Sequence, residues 1–245
     1  MDSDELRLRM RSALSEKDHV LIDSLMEESE VGFGAEEYSI WIRALYLNGS
    51  FEKCLKKCEE LEKIDSGNFT STIFLARSLS AIGRSEESIE AYRKMLSTHP
   101  NEKEPLVMMI RYHYTKKENY QRASELIDSL LIVEPENEQG LLFRARIFQR
   151  ERSQVEALAA YKRLHDFFPE NLEANGRIGQ ISYEMENYPQ AKEFLLRALD
   201  IDENYRPARR LIGLCIERLG ETSEALGYLL SEAEREPEIM SNWEK

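Results

Sequence analysis

The sequence predicts an all-α fold of repeated helical hairpins, and three observations lead to it. Four prolines recur at matched intervals, and a small residue lies 12 positions before each. Between these landmarks, apolar residues follow helical spacing in two stretches separated by a short turn. The 11 Gly and 7 Pro are too few for the many turns of an all-β chain. The landmark pairs are Ser88 with Pro100, Ala123 with Pro135, Ala157 with Pro169 and Ala225 with Pro237.

Composition narrows the classes of function. The 245 residues include 46 acidic and 33 basic side chains, a net charge of -13. Because nucleic-acid binders usually carry excess positive charge, we do not expect one here. No apolar run approaches the roughly 18 residues of a membrane span, and the charged N-terminus lacks the apolar core of a signal peptide. Three cysteines cannot form a disulfide framework, so we expect a cytoplasmic protein.

One segment carries the repeat pattern most completely. In residues 172–205, Gly179 and Tyr183 lie on a first helix, and Ala191, Leu195 and Ala198 lie on a second. This arrangement resembles the tetratricopeptide repeat, a 34-residue helix–turn–helix unit with the signature W-x2-L-G-x2-Y…A-x3-F…P. The resemblance implies an α-solenoid, a right-handed superhelix whose concave face is lined by the first helix of each repeat.

The resemblance covers nearly the whole chain and predicts a single solenoid over residues 1–245. Residues 1–34 are expected to form a degenerate N-terminal unit, and residues 240–245 to begin a truncated or capping helix. Lys103 is an inserted residue. The full repeats are predicted at 35–68, 69–102, 104–137, 138–171, 172–205 and 206–239.

Small residues recur where the two helices of a hairpin should approach closely, because close approach requires a missing side chain. On first helices these residues are Ala76, Ala145, Gly179 and Gly213. On second helices they are Ser88, Ala123, Ala157, Ala191 and Ala225. In the N-terminal unit, the expected apolar residues are Leu6, Leu8, Met10, Leu14, Val20, Leu21, Leu25 and Met26.

Catalytic and metal-binding patterns are missing from the sequence. It contains no phosphate-binding glycine loop and no nucleophile elbow. The histidines, His19, His99, His113 and His165, fall in different repeats at unrelated helical phases, so they are not expected to share a metal. Cys54, Cys58 and Cys215 lie at apolar positions and are interpreted as packing residues. We therefore expect a non-enzymatic protein without a cofactor.

The remaining candidate is a surface on the first helices. Side chains not needed for packing recur at i, i+3 or i+4, and i+7, which is one stripe of a helix. Bases outnumber acids at these positions, although acids outnumber bases in the whole chain. We call the following set the first-helix stripe. The first-helix stripe consists of Ile40, Arg43, Phe74, Arg77, Met109, Tyr112, Phe143, Arg146, Arg150 and Arg177.

The first-helix stripe predicts a groove for a partner segment that is acidic and has apolar anchors, because Arg captures carboxylates and apolar rungs add contact area. Alternatively, the arginines pair with acids on neighbouring helices and only solvate this face. The carboxylate clamp of chaperone-binding family members is not expected, because Arg43, Arg77 and Tyr112 stand where that pattern needs Asn. Arg111 and Arg144, at positions expected to be small or apolar, should each reach a carboxylate or solvent.

These observations favour a protein–protein interaction scaffold or adaptor that takes a protein or peptide segment, with no nucleic acid and no membrane insertion. Two alternatives stay open. The chain could be the repeat region of a longer protein with an enzyme domain, such as a transferase, beyond Lys245. It could also be a self-assembling scaffold that stacks through its repeat ends.

Overall fold

The computed structural model describes residues 3–29, 32–115 and 119–220, and every regular element in these ranges is an α-helix. The helices group into two compact units that divide at residue 118. In the first unit they are α1 (Ser3–Ser15), α2 (His19–Glu28), α3 (Ala35–Leu47), α4 (Phe51–Ile64), α5 (Phe69–Ala81), α6 (Ser85–Thr98) and α7 (Lys103–Thr115). In the second unit they are α8 (Tyr120–Val133), α9 (Glu138–Arg150), α10 (Gln154–Phe167), α11 (Leu172–Glu184), α12 (Tyr188–Ile201) and α13 (Arg206–Arg218).

Within each unit, helices that follow one another in the chain pack against each other. In the first unit α3 also contacts α5, and in the second α11 also contacts α13, so first helices touch across repeats. The predicted fold class, an all-α solenoid of helical hairpins, is confirmed. The predicted second helix of repeat 206–239, with Ala225 and Pro237, and the predicted helix start at 240–245 lie outside the described residues.

In the hairpin turns that the structure describes, one residue recurrently adopts a left-handed conformation. Gly49 and Gly83 have φ values of 75° and 85°, and Arg152 and Glu186 adopt 60° and 61° at the corresponding positions. The amide of the following residue bonds back to the helix, as when Ser50 N donates to the Leu45 carbonyl at 2.9 Å. This bond closes the first helix and directs the chain into the second.

The predicted small residues lie in the cores of the hairpins. Ala76, Ala145 and Gly179 are buried on first helices, and Ser88, Ala157 and Ala191 are buried on second helices. Ser88 Oγ donates to the Ala76 carbonyl at 2.7 Å, so the two helix backbones are nearly in contact. The prediction of close helix approach at these positions is confirmed.

In the N-terminal unit, the apolar residues named from the sequence do not all face the core. Leu6 and Met10 are buried, but Leu8 is 71% exposed and Val20 is 58% exposed. Leu8 lies two residues from both buried neighbours, about 200° around the helix, and so points away from the face that packs. The buried face of α1 instead continues through Ala13.

Glu37 joins α1 to the start of α3. Its side chain is 4% exposed and accepts hydrogen bonds from Arg7 Nε at 2.5 Å and from Gly34 N at 2.9 Å. Burial by itself would raise the pKa of Glu37, but the hydrogen bonds from Arg7 and from backbone amides outweigh it and lower the pKa below its ordinary value.

We expect Glu37→Gln to destabilise the protein at pH 7 by about 1–2 kcal/mol, because the amide loses the charged bond to Arg7. A carboxyl whose folded pKa is lowered stabilises above its unfolded pKa, and this contribution disappears as the pH falls through the folded pKa. The difference between wild type and variant in urea unfolding should therefore shrink on acidification. Glu36→Gln is the control, since Glu36 is exposed and its contact with Arg11 is longer, at 3.5 Å. An equal effect of both variants would contradict the assignment.

We expect Gly179→Ala to destabilise the protein by about 1–3 kcal/mol, although alanine is the better helix former by about 1 kcal/mol. A Cβ at Gly179 would lie 2.6 Å from Cγ and 3.2 Å from the backbone N of the buried Leu195. Gly140→Ala is the control, because there the nearest atom is a leucine methyl at 3.0 Å that can shift. Urea unfolding midpoints measure both variants, and equal midpoints would contradict the proposed close contact.

Candidate functional site

Two arginines of the first-helix stripe are held by carboxylates of the chain itself. In the first unit, Arg77 Nε on α5 donates to Glu104 Oε1 at 2.6 Å, and Nη2 contacts the second oxygen. In the second unit, Arg146 Nε on α9 donates to Glu173 Oε1 at 2.7 Å, again with a second bond from Nη2. In both pairs the glutamate lies 27 residues after the arginine in the sequence. It stands in the first turn of the first helix of the following hairpin. We call each arrangement an Arg–Glu clamp.

Aromatic rings complete both Arg–Glu clamps. The Arg77 guanidinium lies 5.1 Å from the ring centre of Phe74, and that of Arg146 lies 5.5 Å from Phe143. Tyr92 also donates to Glu104 at 3.3 Å. Hydrogen bonding to Glu104 raises the pKa of Arg77 above its ordinary value, so the guanidinium remains charged. Each clamp therefore joins two consecutive first helices through a charged, planar contact.

The predicted apolar rungs do not offer the contact area that the sequence suggested. Phe74, Met109 and Phe143 are 6%, 2% and 3% exposed. In addition to the guanidinium, the Tyr46 ring packs against Phe74 with centres 5.2 Å apart. These side chains are buried because neighbouring residues of the chain cover them. Ile40 differs, since it remains half-buried.

The other members of the first-helix stripe are at least partly accessible. Arg43 and Arg150 are exposed, whereas Tyr112 and Arg177 are half-buried. Tyr112 donates to Glu86 at 3.3 Å, and Arg177 Nη1 donates to the amide oxygen of Gln180 at 2.8 Å. Phe143, Arg146, Arg150 and Arg177 belong to the second unit, and the other six members of the stripe belong to the first.

The two arginines at positions expected to be small or apolar reach solvent or a carboxylate, as predicted, although Arg144 Nε is buried without a hydrogen-bond partner. Arg111 is exposed to solvent. Arg144 is 25% exposed and its Nη2 donates to Asp128 on α8 at 2.5 Å. Both outcomes confirm the expectation from the cost of burying a charge.

The α2–α4 region contains an open groove of about 680 Å³ lined by Trp41 and three lysines, among other residues. Its charges are largely neutralised within the chain. Lys53 contacts Asp23 and Glu27, and Asp23 also accepts a hydrogen bond from Trp41 Nε1 at 2.7 Å. Lys57 lies 4.3 Å from the Trp41 ring centre. These contacts hold α2, α3 and α4 together. They favour a structural role for the groove over the binding of an anion.

The cysteines occupy packing positions. Cys54, Cys58 and Cys215 are all buried, and Cys54 Sγ contacts the Ile42 carbonyl at 3.5 Å. Burial raises the pKa of Cys215 to about 11, which keeps the thiol protonated. Over the described part of the chain, no three His, Cys, Asp or Glu residues are placed to hold a metal ion.

The described helices also include none that is long and apolar enough to cross a membrane. The fold and this surface together define a class: an all-α protein of stacked helical hairpins whose first helices carry an arginine-rich face.

Sequence comparison gives the family. Two tetratricopeptide repeat profiles match residues 112–171 and 155–215. With the helical hairpins described above, these matches confirm the predicted resemblance: residues 112–215 carry tetratricopeptide repeats. No curated protein matches the sequence.

Solved structures with a similar fold include three informative cases. A tetratricopeptide repeat protein from Parabacteroides merdae has 16% identity and a TM-score of 0.64, with 98% of this chain and 96% of that one covered. PilF of Pseudomonas aeruginosa has 13% identity and a TM-score of 0.64, with coverage of 83% and 92%. YrrB, described as having an unusual peptide-binding site, has 16% identity and a TM-score of 0.60, with coverage of 81% and 95%. At these identities the likeness concerns the fold alone.

The sequence analysis did not predict Glu104 and Glu173 as the partners of Arg77 and Arg146. A signal was present: an acid follows Arg77 and Arg146 at the same spacing, and Thr70 occupies the corresponding position after Arg43. The spacing alone does not reveal contact, because it links residues on two different helices.

We expect Arg77 and Glu104 to be energetically coupled by about 1 kcal/mol, since the pair is bidentate but about one-third exposed. A double-mutant cycle of Arg77→Ala and Glu104→Ala, followed by urea unfolding, measures this coupling. The control cycle uses Arg84 and Glu87, an exposed pair three residues apart at the N-terminus of α6, where no measurable coupling is expected. Equal coupling in the two cycles would show that the clamp adds nothing to an ordinary surface pair.

Proposed function

We propose that this protein is a non-enzymatic interaction scaffold whose first-helix faces bind a segment of a partner protein. The observation that carries the proposal is the exposed arginine and aliphatic surface on α3, in an otherwise acidic chain. Helical-hairpin stacks present extended faces of this kind for other proteins. The peptide-binding site named for YrrB is further support at the level of fold.

The partner segment is acidic and carries apolar anchors. Arg43, Arg150 and Arg177 offer guanidinium groups, which favour carboxylates with two parallel hydrogen bonds. The two Arg–Glu clamps support this chemistry, because in each the chain's own glutamate makes such a pair. Phe74, Met109 and Phe143 are not part of the proposed contact, since they are buried within the chain.

The proposal is tested by site-specific photo-crosslinking in cell extract. A photoreactive residue replaces Leu47 or Arg150, which are exposed on first helices, or Glu59 or Leu196, which are exposed on second helices. We expect partner adducts from the first-helix positions and few from the second-helix positions. Leu196 is the matched control for Leu47, because both are exposed leucines. Adducts that form mainly at the second-helix positions would contradict the proposal.

A further inference from the structure

Arg43 occupies the same repeat position as Arg77 and Arg146, but its environment differs. Arg77 and Arg146 each hold a glutamate placed 27 residues later. The residue 27 positions after Arg43 is Thr70, which lies in the first turn of α5 and has no charge. Arg43 is exposed and forms no ion pair with another residue that the structure describes. Arg43 therefore stands at the position of the clamp arginine, but the chain supplies no glutamate at the position of its partner.

The side chains around Arg43 also differ from those around the two clamped arginines. Three residues before Arg43, Ile40 is half-buried, and four residues after it, Leu47 is 55% exposed. The residues three positions before the clamped arginines are the buried rings Phe74 and Phe143. Ile40, Arg43 and Leu47 have the i, i+3, i+7 spacing of one helix face. α3 thus presents a guanidinium between two accessible aliphatic side chains.

We propose that this α3 face binds an internal acidic residue of an extended partner segment, with an apolar residue two positions before and two positions after it. The inference rests on the proposed function and names the site and the ligand pattern. The partner's carboxylate takes the place that Glu104 and Glu173 fill at the other two arginines. The Arg77 and Arg146 pairs provide the geometry: two parallel hydrogen bonds from Nε and Nη2.

The spacing follows from the dimensions of helix and strand. Along α3, Ile40 and Leu47 lie about 4.5 Å and about 6 Å from Arg43. In an extended segment, alternate side chains share one face and are about 6.6 Å apart. We therefore expect one apolar residue, such as leucine, isoleucine or phenylalanine, two positions before the acid and another two positions after it. The acid then faces the guanidinium, and the two apolar residues face Ile40 and Leu47.

The test uses peptides labelled with fluorescein at the N-terminus, and the first is amidated at the C-terminus and has the core Leu-Ser-Glu-Ser-Leu between Gly-Ser flanks. A second peptide has Gln in place of Glu, and a third ends in Leu-Ser-Leu with a free C-terminal carboxylate as its sole acid. Fluorescence anisotropy measures binding to the full chain. We expect the Gln peptide and the free-carboxylate peptide to bind at least about tenfold more weakly than the Glu peptide.

Variants of the protein locate the site. Arg43→Glu should weaken binding of the Glu peptide at least about tenfold, and Leu47→Ser should weaken it severalfold. Arg43→Lys should lose part of the affinity, because lysine keeps the charge but not the planar fork. Lys63→Glu is the matched control: it makes the same charge change at an exposed residue on α4 and should leave binding unchanged. Circular dichroism checks that each variant is folded.

Several results would overturn the inference. These are equal affinity for the Glu and Gln peptides, preference for the free C-terminal carboxylate, no effect of Arg43→Glu, or no binding of the Glu peptide by wild type. Such a failure is distinguishable from failure of the proposed function. If crosslinks still form from Arg150, a partner binds the first-helix face but not in the way assigned to Arg43.

Discussion

A single helical hairpin of this chain cannot bury its own apolar face, and the rest of the structure depends on how closely the next helix approaches. Ser88 bonds to the Ala76 carbonyl, and Leu195 occupies the space that a side chain at Gly179 would need. Because packing uses the faces with small residues, the outward faces of the first helices are free to carry charge. The geometry of packing therefore determines which side chains can meet a partner.

Charge on these faces is divided between internal and external use. Arg77 and Arg146 take a carboxylate from the following first helix, and this contact also holds a guanidinium over a phenylalanine ring. Where the following helix supplies Thr70 instead, the arginine remains accessible. The residue type in the first turn of the following first helix thus coincides with whether the arginine is held within the chain or left exposed.

The sequence was sufficient for the fold and only partly sufficient for the surface. Small residues such as Ala145 and Gly179 identify helix contacts, because the lack of a side chain has the same consequence in every repeat. The burial of Phe74 was not predictable, since it depends on a ring and a guanidinium from other turns and on their side-chain conformations. Leu8 is exposed although it is apolar, because apolar character alone does not fix the helical phase. The repeat boundaries and the role of Arg43 remain predictions.

The internal carboxylates have a consequence for stoichiometry. A repeat protein can gain avidity when equivalent pockets bind several copies of one motif, because the later binding steps become intramolecular. At Arg77 and Arg146 the guanidinium groups already hold Glu104 and Glu173 of the chain itself, and these intramolecular partners would compete with a peptide carboxylate. If partner carboxylates bind at Arg43 as proposed, hairpins with an Arg–Glu clamp would lengthen the array without adding a further site of that kind.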